Sequence, residues 1–222
     1  MLLLKQFFLI AMVNPSSQYR LKKMTRLIII SSETDFENET TIVNDLFIEG
    51  LNLLHLRKPN WNLNSQRIFL EKIDPAFLNR ISVHQYHETT FEFGLKYFHV
   101  KESERKNLTK KKDGLISSTS FHSYDDLRAE TQLWDYCFLS PLFDSISKSN
   151  YKSTFSKYFK IENDLPQRVF ALGGITKNNI ESVFEKGFYG AAVLGSVWND
   201  PKKALKKFKE LDTLCKQNVH TF

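Results

Sequence analysis

The chain has 222 residues, 41% of them hydrophobic and 25% charged, with 19 Phe. This composition suits a packed interior better than a disordered chain and supports a sizeable core. Much of the net charge of +6 comes from two lysine runs, Lys106, Lys110, Lys111 and Lys112, and then Lys202, Lys203, Lys206, Lys207 and Lys209. Neither run carries interleaved aromatics or a reading motif, so both are read as solvated faces rather than a nucleic-acid surface.

In chain order, residues 1–23 come first. Leu2 to Val13 is apolar apart from Lys5 and Gln6, too short to span a bilayer as a helix and without a clear small-residue cleavage site. We read residues 1–23 as an extension outside the fold and residues 24–222 as one domain. The two cysteines, Cys137 and Cys215, form neither a CxxC pair nor a metal-ligand spacing. A reduced, cytoplasmic protein is expected.

Apolar runs predict eight strands, Leu27–Ser31, Leu53–Arg57, Ile81–Gln85, Tyr97–Val100, Leu115–Thr119, Tyr136–Ser140, Val169–Leu172 and Ala191–Leu194. Several are continuously apolar, as parallel strands buried on both faces require. Helical spacing separates them. Ile42 and Leu46 lie in Thr41–Glu49, and Ile68, Phe69 and Ile73 in Ser65–Ile73. Tyr124–Thr131 follows a Ser cap, and Lys177–Lys186 ends at Gly187. Only a reduced helix fits between Gln85 and Tyr97. The last helix begins near Pro201 and carries Leu205, Phe208, Leu211 and Cys215 on one side. Eight strand–helix alternations predict a (β/α)8 TIM barrel, with a doubly wound sheet as the alternative.

Two glycine-bearing strand ends come late, Gly173-Gly174 after the seventh strand and Gly195-Ser196 after the eighth. At those barrel positions, glycines let backbone N–H groups approach a phosphate. The stretch Ser140-Pro141-Leu142-Phe143-Asp144-Ser145-Ile146-Ser147-Lys148 closes the sixth strand. Lys148 offers a point cation, and Ser145 and Ser147 offer hydroxyl donors, on a loop long enough to cover an anionic ligand.

These motifs carry a resemblance. The chain resembles the thiamine phosphate synthase/TenI family from the first strand through Trp198. Ser140 to Lys148 is similar to the family's Gly-Pro-x-Phe-x-Thr-x-Thr-Lys, and Ala171-Leu172-Gly173-Gly174-Ile175 to its Ala-Ile-Gly-Gly-Ile. Ser118-Thr119-Ser120-Phe121-His122 resembles Gly-x-Ser-x-His, His55-Leu56-Arg57 resembles Gln-Leu-Arg, and Phe98-His99-Val100 resembles Val-His-Leu.

The resemblance implies coupling of a pyrimidine methyl diphosphate to a thiazole phosphate with loss of diphosphate. Arg57 and Lys148 would hold the diphosphate, and Gly173, Gly174, Gly195 and Ser196 the thiazole phosphate. A family Mg²⁺ would neutralise the leaving group. The TenI branch implies instead a thiazole tautomerase with His122 as acid/base and no metal. A third class is a non-catalytic thiazole-phosphate binder.

The chain departs from the family where two aspartates bind the metal. The third strand ends Val83-His84-Gln85-Tyr86-His87, and Glu102 and Glu104 stand near the second position. Lys58 is displaced by one from the family's lysine, and Pro59 takes its place. His84, His87, His99, Glu102 and Glu104 are therefore candidate rim or metal residues, with the metal itself left open. The expected partners are phosphorylated thiazole and pyrimidine molecules, not nucleic acid or a membrane, and a homo-oligomer is left open.

Overall fold

The computed structural model describes residues 25–105, 114–130, 134–144, 153, 155–162 and 165–218. Ser145, Ser147, Lys148, the first lysine run and residues 1–23 lie outside the described residues.

Eight parallel strands close in sequence order into a barrel. They are β1 (Leu27–Ile30), β2 (Leu54–Leu56), β3 (Ile81–Val83), β4 (Tyr97–Val100), β5 (Ile116–Phe121), β6 (Tyr136–Leu139), β7 (Arg168–Leu172) and β8 (Gly190–Val193). Leu27 pairs with Ala191 and Ile29 with Val193, which closes the ring.

Alternation along each strand sorts the apolar residues into two layers. Ile28, Ile30, Tyr136, Phe138, Phe170 and Ala192 fill the barrel interior. Leu27, Ile29, Leu54, Leu56, Val83 and Val193 belong to the layer between strands and helices. Both layers exclude water, which is why the strands read as continuous apolar runs.

The helices are α1 (Glu39–Ile48), α2 (Leu63–Glu71), α3 (Thr89–Glu92), α4 (Glu102–Arg105), α5 (Tyr124–Ala129), α6 (Ile180–Glu185), α7 (Gly195–Trp198) and α8 (Ala204–Gln217). α2 starts where the Asn62 side chain accepts the Ser65 N–H at 2.9 Å, and α5 where Ser123 Oγ accepts from Asp126 N. The crossover between β3 and β4 holds a single helical turn, α3, as its length requires. α6 begins later than its apolar spacing suggests, because Thr176 N donates to Asn179 Oδ1 at 2.7 Å and shapes a turn first. β5 extends past Thr119 to Phe121.

α8 buries Ala204, Phe208, Leu211 and Cys215, and its lysines lie on the other side. Burying a Phe or Leu side chain contributes roughly 1.5–3 kcal/mol, so Phe208→Ala would loosen α8 most directly. At the strand ends, Trp198 Nε1 donates to Ile30 O at 2.7 Å and fixes α7 beside β1.

Candidate active site

A cleft of about 530 Å³ opens at the C-terminal ends of the strands, where a (β/α)8 barrel builds its sites. Arg57, His84, His122 and the glycine-bearing ends of β7 and β8 all line it.

Arg57 follows β2. Its side chain, 39% exposed, donates to Glu33 from the loop after β1, and its backbone N–H donates to Ser31 Oγ at 2.9 Å. The next residue turns away. Lys58 is 1% exposed, and its ammonium bonds Glu39 at 2.6 Å, Asp35 at 3.0 Å and Thr34 O at 3.3 Å. Lys58 is thus a tie between the β1 and β2 loops, outside the cleft lining. Burial holds the Glu39 carboxyl above its ordinary range, with Lys58 pulling against it.

Gly173 and Gly174 have φ of 98° and 64°. A Cβ on Gly173 would meet Pro141 Cα at 2.8 Å, and one on Gly174 would meet Asp144 O at 2.3 Å. The segment after β6 lies along them, with Leu142 N donating to Leu172 O at 2.9 Å and Phe143 N to Gly173 O at 3.1 Å. The glycines therefore serve close packing as well as the cleft wall. Gly195 and Ser196 form the first turn of α7, where N–H groups have no intrahelical acceptor, and both line the cleft. The Ser196 hydroxyl itself donates to Ile175 O, so what Ser196 can offer a phosphate is its backbone amide.

His122 stands just beyond β5 with its side chain 48% exposed. Its Nδ1 lies 3.1 Å from Ser140 O, and its Nε2 lies 3.8 Å from Glu102 Oε2. The ring is thereby oriented across the cleft mouth.

Beneath the mouth lies a cluster that the sequence reading dispersed. His55 on β2, His84 just after β3 and His99 on β4 are buried, at 0%, 6% and 3% exposure. His55 Nδ1 is 2.8 Å from His84 Nε2, and His55 Nε2 is 2.7 Å from the Tyr136 hydroxyl. His99 Nδ1 is 2.9 Å from Ser118 Oγ, and its ring stacks on His84 with centroids 4.1 Å apart. Burial pushes His55 and His84 well below the ordinary imidazole range and His99 down to about 3; His99 adds to the effect on His55 and His84, and His87, Arg57 and Lys101 add to that on His99. At neutral pH all three are uncharged. Burial also raises the Tyr136 phenol above its ordinary range.

The structure redistributes the candidate rim residues. His84, His99 and Glu102 line the cleft, and His99 is part of its floor rather than its rim. His87 and Glu104 are not among the lining residues. His87 Nε2 contacts His99 O at 3.0 Å, and Glu104 lies on the exposed side of α4, 4.0 Å from Lys101. Sequence reasoning missed His55 as a site residue, together with Tyr136, Ser118 and Ser120. The available signal was strand alternation, since Tyr136 and Phe138, like Ser118 and Ser120, are two apart and share an inward face.

Mg²⁺ takes hard oxygen ligands. At the end of β3 it would meet His84 and Gln85, and beyond β4 it would meet Lys101. Of the carboxylates lining the cleft, Glu33 is paired with Arg57, and Glu102 lies 3.6 Å from Arg105 and 3.8 Å from His122. The described donor set does not fit Mg²⁺.

The family model described as thiamine monophosphate synthase matches residues 27–197. The chain belongs to the thiamine monophosphate synthase family. The match runs from β1 into α7, so it covers both the barrel and the cleft. A thiamine-phosphate synthase of Salinibacter ruber is 32% identical over 99 residues, 43% of this chain and 44% of that protein. One of Latilactobacillus sakei is 33% identical over 93 residues, 39% of this chain and 41% of that protein. These matches thus span less than half the length of the curated relatives.

Among solved structures, a thiamine phosphate pyrophosphorylase from Bacteroides thetaiotaomicron superposes with a TM-score of 0.71 at 29% identity, over 89% of this chain and 100% of that one. A thiamine phosphate pyrophosphorylase from Pyrococcus furiosus gives 0.68 at 16% identity, over 87% and 96% of the two chains, and that likeness concerns the fold alone. No described helix is long and apolar enough to cross a membrane.

Proposed function

We propose that this family member couples a pyrimidine methyl diphosphate to a thiazole phosphate, releasing diphosphate and forming thiamine phosphate. One observation carries the reading. A single cleft brings the Arg57 guanidinium and the glycine-bearing ends of β7 and β8 to one mouth, giving two places for anionic groups in a space suited to small molecules. The family and the curated relatives named for this activity support it.

In this reading the bond between the methylene carbon and the diphosphate oxygen breaks, and the electron pair leaves with the diphosphate. The pyrimidine ring stabilises the resulting cation, and the thiazole nitrogen supplies the pair for the new C–N bond. The protein's part is charge neutralisation and positioning. Arg57, held in place by Glu33, faces the leaving diphosphate, and Lys148, Ser145 and Ser147 are assigned to the same group through the resemblance. The backbone amides of Gly173, Gly174, Gly195 and Ser196 hold the thiazole phosphate. We place the reaction in the cytoplasm, in keeping with two buried cysteines that form no disulfide.

A second reading rests on His122. Its half-exposed ring, oriented by Ser140 O at the cleft mouth, suits proton transfer on a bound thiazole phosphate without a metal. Supplying both coupling substrates to the purified chain and detecting thiamine phosphate by mass distinguishes the two. The tautomerase yields none.

A further inference from the structure

We infer that His55, His84 and His99 form a binding site for one borderline-soft divalent transition-metal ion of the Zn²⁺ or Co²⁺ type on the floor of the cleft.

The three rings offer one nitrogen each, and these nitrogens all lie within 4.8 Å of one another. Metal–nitrogen bonds of about 2.0–2.1 Å at a tetrahedral centre put ligand nitrogens roughly 3.4 Å apart. His55 Nδ1 and His84 Nε2, now 2.8 Å apart and hydrogen-bonded, would part by about half an ångström to admit the ion. The ligands come from three consecutive strands or strand ends, so barrel register holds them rather than a loop.

The surroundings have the form of a built site. A metal-bound histidine usually engages a polar partner through its second ring nitrogen, which fixes the tautomer. His55 does so with the Tyr136 hydroxyl at 2.7 Å, and His99 with Ser118 Oγ at 2.9 Å. The ion would replace Ser120 Oγ, 3.2 Å from His99 Nε2, and the stacked His84 and His99 rings would turn to aim at it. His84 and His99 line the cleft, so an ion held by the three rings is reached from the cleft. An all-nitrogen set favours Zn²⁺, Co²⁺ or Ni²⁺ over the oxygen-seeking Mg²⁺.

The test uses the full chain stripped with chelator and then titrated with Co²⁺ and Zn²⁺, without reference to turnover, so its outcome is separate from that of the coupling reading. The expected results are one ion per chain by equilibrium dialysis, visible Co²⁺ ligand-field absorption that excess Mg²⁺ does not remove, and a Zn²⁺-dependent rise in Tm. His84→Gln should weaken Zn²⁺ binding at least 100-fold and Tyr136→Phe about 10-fold, while His122→Ala should leave affinity within about twofold. If His84→Gln does not fold, proton NMR of the Co²⁺-loaded wild type decides, with three shifted imidazole sets expected. No stoichiometric Co²⁺ binding, displacement by Mg²⁺, full affinity in a folded His84→Gln protein, or fewer than three shifted rings would overturn the assignment.

Discussion

The Tyr136 hydroxyl on β6 lies 2.7 Å from His55 Nε2 on β2, across the interior of the barrel. This bond joins two strands that are not neighbours in the sheet, and it reaches His84 through the other nitrogen of the same ring. Tyr136→Phe keeps the ring packing and removes the partner, leaving a buried imidazole nitrogen unsatisfied. A loss of about 1–3 kcal/mol is expected, read as a lower urea midpoint with an unchanged slope. An unchanged midpoint would mean that His55 finds another partner.

Lys58 gives a larger effect without touching the cleft. Lys58→Met leaves Glu39 buried without its cation, a change expected to cost about 3–5 kcal/mol. The double variant Lys58→Met, Glu39→Leu should recover most of that loss, because both charges then leave the interior together. Urea unfolding of the two variants checks this, and equal instability in both would refute the pairing.

Arg57 and His122 separate charge neutralisation from proton transfer. Arg57→Ala should lower kcat/KM for coupling about 10²–10³-fold, mainly through the diphosphate substrate. His122→Ala should lower coupling by less than about tenfold but abolish tautomerisation of a thiazole phosphate. Steady-state kinetics on both substrates, followed by the tautomerase assay, would reveal reversed roles.

Cys215 reports on the docking of α8. It lies on the buried face of that helix, and burial, aided by Asp212, pushes its thiol up to about 12. Native protein should resist thiol alkylation through pH 9, with Cys137 and Cys215 both reacting on unfolding. The linkage sign follows from the raised value. The unfolded thiol ionises near pH 9 while the folded one keeps its proton, so stability from this group is intact below that pH and falls between pH 9 and 12. Near pH 10.5 the loss amounts to about 2 kcal/mol. A Cys215→Ala variant should lack this part of the alkaline decline.

The barrel was legible because burial on both faces writes parallel strands as apolar runs, and each of the eight expected runs overlaps an observed strand. Boundaries moved where hydrogen bonds, not hydropathy, decide them. β5 runs on to Phe121, and the Asn179 turn delays α6. Arg57, His122 and the glycine ends could be placed at the cleft because strand ends are fixed by topology.

The histidine cluster could not be read, because it depends on register between β2, β3 and β4. One-dimensional spacing does not show that His55 and His84, 29 residues apart, share a hydrogen bond. Nor does it show that Lys58 points inward while Arg57 points to the cleft. Proximity in sequence suggests Glu104 as a rim ligand, and the single turn of α4 carries it outward instead.

The most direct test of the central claim is a coupling assay with purified protein, pyrimidine methyl diphosphate and thiazole phosphate, run with Mg²⁺ supplied and again with chelator. The proposed function predicts thiamine phosphate with diphosphate released in equal amount, and a rate that falls steeply in Arg57→Ala. No product in either condition, with thiazole phosphate still bound, would contradict the synthase reading and leave the tautomerase or a binding role in its place.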